Sequence, residues 1–183
     1  MSAGGFDHRH DTHEGAAFDA GVLATLQQER VDRAAFFISK DAYLGSAFPC
    51  VEGAGDWGLV SCAGNRKPPW WTFWLWQQLA PDELETTGSS SIDGFWAVAS
   101  REGMSRVTVM LSSFLSTAAH DQPVAIELGS LPASGMAGEV RRIDANHPSA
   151  EAPAESVSVP GPRGTIDLVL PANSVLFVDL RGR

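Results

Sequence analysis

The spacing of hydrophobic and polar positions changes near residue 85. Upstream, helix-like and strand-like segments alternate; downstream, short runs with a period of two follow one another between turns. From about His13 to Val31, Ala17, Phe18, Gly21, Val22, Ala24, Leu26 and Val31 form one apolar face, and Gln27, Gln28, Glu29 and Arg30 fit the solvent side. Asp11 followed by Glu14 has capping-box spacing, so the helix is expected to start there and to end at Asp32-Arg33. Ala34-Ala35-Phe36-Phe37-Ile38 is apolar at every position, which predicts a strand covered on both faces, as in a parallel sheet flanked by helices. Ser39 to Gly58 reads as a long glycine-rich loop, and Leu59-Val60-Ser61 as a short strand. Pro68-Pro69 suits the first turn of a helix running through Trp70 to Ala80. Its large apolar side chains point in almost every direction, so it is expected to lie between two layers.

From Gly94 onward, strands are expected at Phe95–Ser100, Arg106–Ser113, Pro123–Leu128, Gly138–Asp144, Ser156–Val159, Gly164–Leu170 and Ser174–Leu180. Alternation is clearest in Val107/Val109/Leu111, in Val124/Ile126/Leu128 and in Val175/Phe177/Leu180. Turn chemistry separates the runs, as at Glu102-Gly103, Pro160-Gly161-Pro162 and Pro171-Ala172-Asn173. Seven short antiparallel strands indicate a β-sandwich, with Ala145 to Glu155 an excursion between two of them.

The 183 residues carry a net charge of -9, which argues against a nucleic-acid partner, since phosphate binding needs clustered Lys and Arg. The sequence holds no apolar run long enough to span a bilayer. The polar stretch Met1 to His10 has no leader-like apolar core, so the default expectation is cytoplasmic. Cys50 and Cys62 flank a glycine-rich loop; a bridge across it and two unrelated thiols both remain open readings.

The front half poses a physical problem. A strand buried on both faces also needs strand neighbours on both edges, and this chain offers almost none. Two helices and one strand cannot enclose Phe36, Phe37 and Ile38, and each large apolar side chain left in water forgoes roughly 1.5–3 kcal/mol. Either another polypeptide completes this layer or the sequence is part of a longer protein.

The order of segments is a polar His/Asp stretch, a helix, VDRAAFFIS, a loop with DWGLVS, RKPPWWTFWLWQQLA, and a strand region ending LVLPANSVLFVDLRG. It resembles the C-terminal part of clan A glycoside hydrolases, most nearly family 39, the β-xylosidase-like enzymes. The resemblance covers nearly the whole chain and implies an α/β plus all-β fold. Residues 1–85 would be the last part of a (β/α)8 barrel, incomplete here, and residues 86–183 an antiparallel β-sandwich. Retaining glycosidases place an acid/base Glu and a nucleophile Glu about 5–5.5 Å apart at the C-terminal face of the barrel. Both would precede Met1, and no residue here matches either motif.

The candidate binding residues are Trp57 and Asp56, on the loop after the expected strand, and His10, Asp11 and His13, which in the family reading line a sugar subsite. Trp57 offers a ring face for stacking on a sugar; the plainer reading is a loop anchor. Three imidazoles, His8, His10 and His13, also raise a zinc site, though alternate positions need an extended backbone and no fourth ligand is fixed nearby. No metal and no cofactor is expected. Trp70, Trp71, Trp74 and Trp76 read as core and not as a sugar platform, and Ser112-Ser113 with His120 lack a nucleophile elbow.

The expected function is therefore a glycoside hydrolase portion without its catalytic pair, inactive alone. Its expected partners are a β-linked oligosaccharide or glycoside and the missing N-terminal barrel segment, with no nucleic acid and no membrane. A non-catalytic carbohydrate-binding or scaffold module is the alternative, and a small metalloenzyme on the histidine cluster a third.

Overall fold

A computed structural model describes residues 7–36, 38–43, 50–89 and 93–183. After a 3₁₀ turn (His8–Asp11) come helix α1 (His13–Gln28) and helix α2 (Pro68–Trp76). Eight strands follow: β1 (Asp82–Leu84), β2 (Phe95–Glu102), β3 (Arg106–Ser113), β4 (Gln122–Leu128), β5 (Met136–Ile143), β6 (Glu155–Val159), β7 (Gly164–Leu170) and β8 (Ser174–Gly182). Six form an antiparallel sheet in the order β1-β2-β3-β8-β5-β6, and β4 pairs with β7 as a separate ribbon. All seven expected strands are present within a few residues of their expected ends. β1, whose sequence Asp-Glu-Leu has no alternation to announce it, was not among them.

The large sheet has two different faces. Toward the ribbon it presents Ala97, Ala99, Val107, Val109, Leu111, Leu176, Val178 and Leu180, which share a core with Ile166, Leu168 and Leu170 of β7. Toward the helices it presents Met110, Val175 and Phe177, packed with Ala16, Ala17, Ala20, Trp71 and Leu75. This double cover explains why β3 and β8 are buried at nearly every position although only half of each strand is large and apolar. Two polar residues on the helix side are matched: Ser112 Oγ donates to Ala17 O at 2.8 Å, and Thr108 Oγ1 accepts from Ala80 N at 3.0 Å.

Helix α1 reaches this position because its buried stripe is small: Gly15, Ala16, Ala17, Ala20, Gly21 and Ala24. At Gly21 a β-carbon would stand 3.0 Å from the Trp96 ring, so even alanine there must push the indole. Thr72 Oγ1 donates to Ala16 O at 3.0 Å and ties α2 to α1. Trp71 is buried, and Trp70, Trp74 and Trp76 pack partly buried around it, so the aromatic helix is core as expected. It is shorter than expected, ending at Trp76, about one turn before Ala80.

Two expectations are corrected. Thr12, not Asp11, caps α1, accepting from Glu14 N at 3.2 Å; Asp11 is drawn to another partner described below. The strand expected at Ala34–Ile38 does not form among its described residues. Residues 31–36 are exposed, and Phe36 keeps 42% of its surface in water beside an edge-on contact with Phe73. Beyond it Lys40 pairs, in a parallel bridge with Val60, which in turn bridges Arg66. A strand exists through its neighbours' backbone groups, and among the described residues no other strand lies beside this segment. Phe37 and residues 44–49 of the expected loop lie outside the described residues.

Candidate functional site

The expected site residues lie at one end of α1, where the 3₁₀ turn, the 50–62 loop and the start of α2 meet. Asp7 opens the turn, accepting from Arg9 N at 3.1 Å and from the Arg9 guanidinium at 2.9 and 3.0 Å. These hydrogen bonds hold the Asp7 carboxyl far below the usual carboxylate range. The turn then points two imidazoles at the loop: His8 Nδ1 donates to Gly53 O at 3.0 Å and His10 Nδ1 to Gly55 O at 3.1 Å. A carbonyl only accepts, so both rings carry their proton on Nδ1 here.

Asp11 continues the docking, with Oδ2 accepting from Gly55 N at 2.6 Å. Gly55 is required at this point: its φ is +79°, and a β-carbon would lie 2.4 Å from the Asp7 backbone. Asp41 performs the same service one turn of loop later, with Oδ1 accepting from Gly58 N at 2.6 Å.

Between the two carboxylates sits Lys67 Nζ, 2.5 Å from Asp11 Oδ1 and 2.5 Å from Asp41 Oδ2, and donating to Asp56 O at 2.9 Å. Asp11 Oδ1 accepts no hydrogen bond, so its contact with Lys67 acts through charge. The side chains of Lys67 and Asp41 retain 5% and 3% exposure, which makes this a buried ion cluster and not a surface pair. Asp56 is also buried, and its Oδ2 has no hydrogen-bond partner. Burial, reinforced by the Asp41 carboxylate, pushes its carboxyl above the ordinary range despite the nearby Lys67.

The loop is closed covalently: Cys50 and Cys62 form a disulfide, with their α-carbons 5.8 Å apart. This resolves the question the sequence left open. Cys50, Asp56 and Cys62 are the one group of three potential metal ligands brought together among the described residues, and both sulfurs are spent in the disulfide. His8 and His10 serve as struts to loop carbonyls and do not converge on a common point. Cys62→Ser is expected to cost about 3 kcal/mol, the cross-linking value for a loop of this order. A urea midpoint unchanged in the variant would show the loop to be held by its polar contacts alone.

The structure thus brings together four of the five expected residues, Asp56, Trp57, His10 and Asp11, on or against one stapled loop. Trp57 is half-buried there, and His13, also half-buried, stands at the first position of α1. Lys67 and Asp41, which organise the cluster, were missed. Lysine directly before a Pro-Pro helix start is a poor cap and sits at the wrong end of the helix dipole, and that was the available signal. With Asp11, Asp41 and Lys67 bound to one another, the arrangement is built to hold a loop rigid, not to transfer protons.

No protein-family model and no curated protein matches the sequence. Solved structures do match. The GH39 enzyme from Xanthomonas axonopodis pv. citri is similar with a TM-score of 0.81 at 16% identity, over 100% of this chain and 43% of its own. A monomeric β-xylosidase from Caulobacter crescentus reaches 0.78 at 20% identity, over 98% of this chain and 43% of its own. A glucosidase from Croceicoccus marinus reaches 0.72 at 17% identity, over 100% and 44%. The chain spans less than half the length of these structures and has, throughout, the fold of that portion of them. The resemblance to family 39 glycoside hydrolases read from the sequence is therefore present in the fold.

Proposed function

We propose that this chain is the C-terminal portion of a retaining, β-xylosidase-like glycoside hydrolase. In this reading residues 1–85 complete a (β/α)8 barrel and residues 86–183 form the β-sandwich that supports it. The observation that carries the reading is the match itself, complete for this chain and well under half for its neighbours. It is supported by Val31, Phe36 and Tyr43, which keep 46%, 42% and 66% of their surface exposed on one stretch of chain. That stretch has the composition of a barrel strand, and among the described residues no strand flanks it.

The chemistry then divides between two parts of one polypeptide. The carboxylate pair belongs to the part outside this chain. The stapled loop carries Trp57 and Asp56 to the rim, with His10, Asp11 and His13 beside them, where a ring face and polar groups suit a β-linked sugar. The cluster around Lys67 keeps that rim in place.

The test is hydrolysis of 4-nitrophenyl β-xyloside. The isolated chain is expected to show none, and the product of the same reading frame extended upstream is expected to turn it over. Turnover by the pure isolated chain overturns the proposal, as does an upstream extension lacking two carboxylates at strand ends. In the extended enzyme, Trp57→Ala is expected to raise KM roughly tenfold, equivalent to about 1.4 kcal/mol, with a smaller change in kcat. An unchanged KM would remove Trp57 from the rim. The second reading, a stand-alone carbohydrate-binding module, draws on the closed packing of α1 and α2 against the sheet, where Ala16, Ala17 and Leu75 are fully buried. Oligosaccharide binding by an isolated, cooperatively melting monomer would favour it.

A further inference from the structure

The disulfide that closes the 50–62 loop has a third donor beside it. One carboxylate oxygen of Asp56 and the sulfurs of Cys50 and Cys62 all lie within 4.8 Å of one another. Asp56 is 9% exposed, and its Oδ2 accepts no hydrogen bond among the described residues. The charges around it are unbalanced, because the Asp11 and Asp41 carboxylates act on it together with the one ammonium of Lys67. Three carboxylates, its own included, thus stand against one cation. A buried carboxylate so placed is short of positive charge, and the sulfurs beside it are ligands that could hold some. Both cysteines are only partly buried, which leaves them open to a small reductant.

The loop has ties besides the sulfur–sulfur bond. Glu52, two residues after Cys50, accepts from Ala63 N at 3.3 Å and from Asn65 Nδ2 at 3.0 Å, both just after Cys62. Ala54 N donates to Val51 O at 3.2 Å and Ser61 N to Asn65 O at 2.8 Å, closing a turn next to each cysteine. Asp56 is pinned by Lys67 Nζ on its carbonyl and by the bonds to Gly55 N and Gly58 N on either side. Opening the disulfide therefore leaves two thiols and a carboxylate still gathered at one place. Two thiolates on a tetrahedral zinc, each at about 2.3 Å, stand about 3.8 Å apart. Side-chain rotation on α-carbons 5.8 Å apart reaches that separation.

We propose that Cys50, Cys62 and Asp56 form a zinc site when the disulfide is reduced. The loop bearing Trp57 is then cross-linked by sulfur in an oxidising compartment and by metal in a reducing one. The donor set selects the ion: thiolates favour zinc over calcium and magnesium, which take oxygen ligands. Three protein ligands leave the fourth position to water. A dithiol reductant gives two electrons and two protons to the disulfide and becomes a disulfide itself, while the S–S bond breaks to two thiols. Zinc then forms two Zn–S bonds and one Zn–O bond, and the two thiol protons are released. This goes beyond the glycosidase reading and does not rest on it.

The test uses the full chain, reduced by a phosphine, which takes its oxygen from water to become the phosphine oxide, and then freed of reductant without air. Zinc is added and unbound metal is removed by gel filtration. The reduced chain is expected to retain one zinc and to release two protons on binding it. The oxidised chain, with the same histidines and carboxylates, is expected to retain none. Cobalt in place of zinc is expected to give thiolate-to-metal charge-transfer absorption in the reduced chain only. Zinc is expected to slow iodoacetamide labelling of Cys50 and Cys62 by at least about tenfold, because the metal holds the reactive thiolates. Asp56→Asn keeps both cysteines and is expected to weaken zinc binding by at least about tenfold, the least that loss of a supporting group costs a metal site. Near-ultraviolet circular dichroism of the tryptophans is expected to be kept in the reduced chain and in the variant.

Equal zinc retention by the oxidised chain would assign the metal to imidazoles or surface carboxylates and overturn the proposal. A reduced chain that retains no zinc would overturn it too, as would an Asp56→Asn variant that binds as tightly as the parent. Half a zinc per chain with a doubled mass would place the metal between two copies, which also overturns it. If reduction abolishes the tryptophan signal and zinc does not restore it, the loop does not survive opening and the proposal falls.

Discussion

Lys67→Met is expected to lower stability by roughly 3–5 kcal/mol, because it leaves the buried Asp41 and the partly buried Asp11 without their cation. For a chain of this size that corresponds to a fall in Tm of roughly 6–20 °C. The isolated aliphatic stem is not what matters, since methionine fills much of the same volume. What is lost is the charge between two carboxylates that are already committed to Gly55 N and Gly58 N and cannot swing out to water. The double variant Lys67→Met/Asp41→Asn is therefore expected to recover part of the loss, because it removes one of the two uncompensated charges and keeps an acceptor for Gly58 N. Urea unfolding with an unchanged m-value measures both. A loss below about 1 kcal/mol in the single variant would place the cluster in the energetic class of surface pairs. It would also mean that the loop bearing Trp57 is held by the disulfide and not by charge.

The strand region was legible because its information is local. In β4 every second residue is large and apolar, and Gly129 and Pro132 mark the turn after it, so both the strand and its inward face follow from the sequence. β3 was legible as a strand but not as a strand buried on both faces. Thr108 and Ser112 look like solvent positions until the helices that meet them are in place. The Ala34–Ile38 segment failed for the opposite reason. Its composition asks for neighbours on both edges, and composition cannot say whether they are present. The site divides in the same way. The aromatic and acidic character of Asp56-Trp57 was visible, but the cluster is made by Asp41 and Lys67, far apart in sequence and joined only by the folded loop. Cys50 and Cys62 are a similar case, since pairing depends on a Cα separation that only the fold supplies.

Asp19 provides the other large effect. It lies on α1 one residue before the buried Ala20, and burial alone raises its carboxyl from 3.8 to about 7. The sign follows from proton counting. Between about pH 4 and pH 7 the folded chain holds a proton at Asp19 that the unfolded chain has released, so stability falls as pH rises through this window. Above it the folded chain carries the full cost of a desolvated carboxylate. Asp19→Asn removes the charge and keeps the shape, so it is expected to stabilise the chain by about 2–4 kcal/mol near pH 8.5 and to change little near pH 4. Urea midpoints at the two pH values measure the difference. Equal effects at both would show that Asp19 is hydrated and that its charge costs nothing. The same variant in the upstream-extended protein separates two origins of the cost. A gain of the same size would make Asp19 a burden intrinsic to the packing of α1 on the sheet. A gain that shrinks would mean that the added polypeptide brings a cation or a hydrogen-bond donor to Asp19. The carboxylate would then belong, with Phe36, to a surface that the proposed additional polypeptide covers.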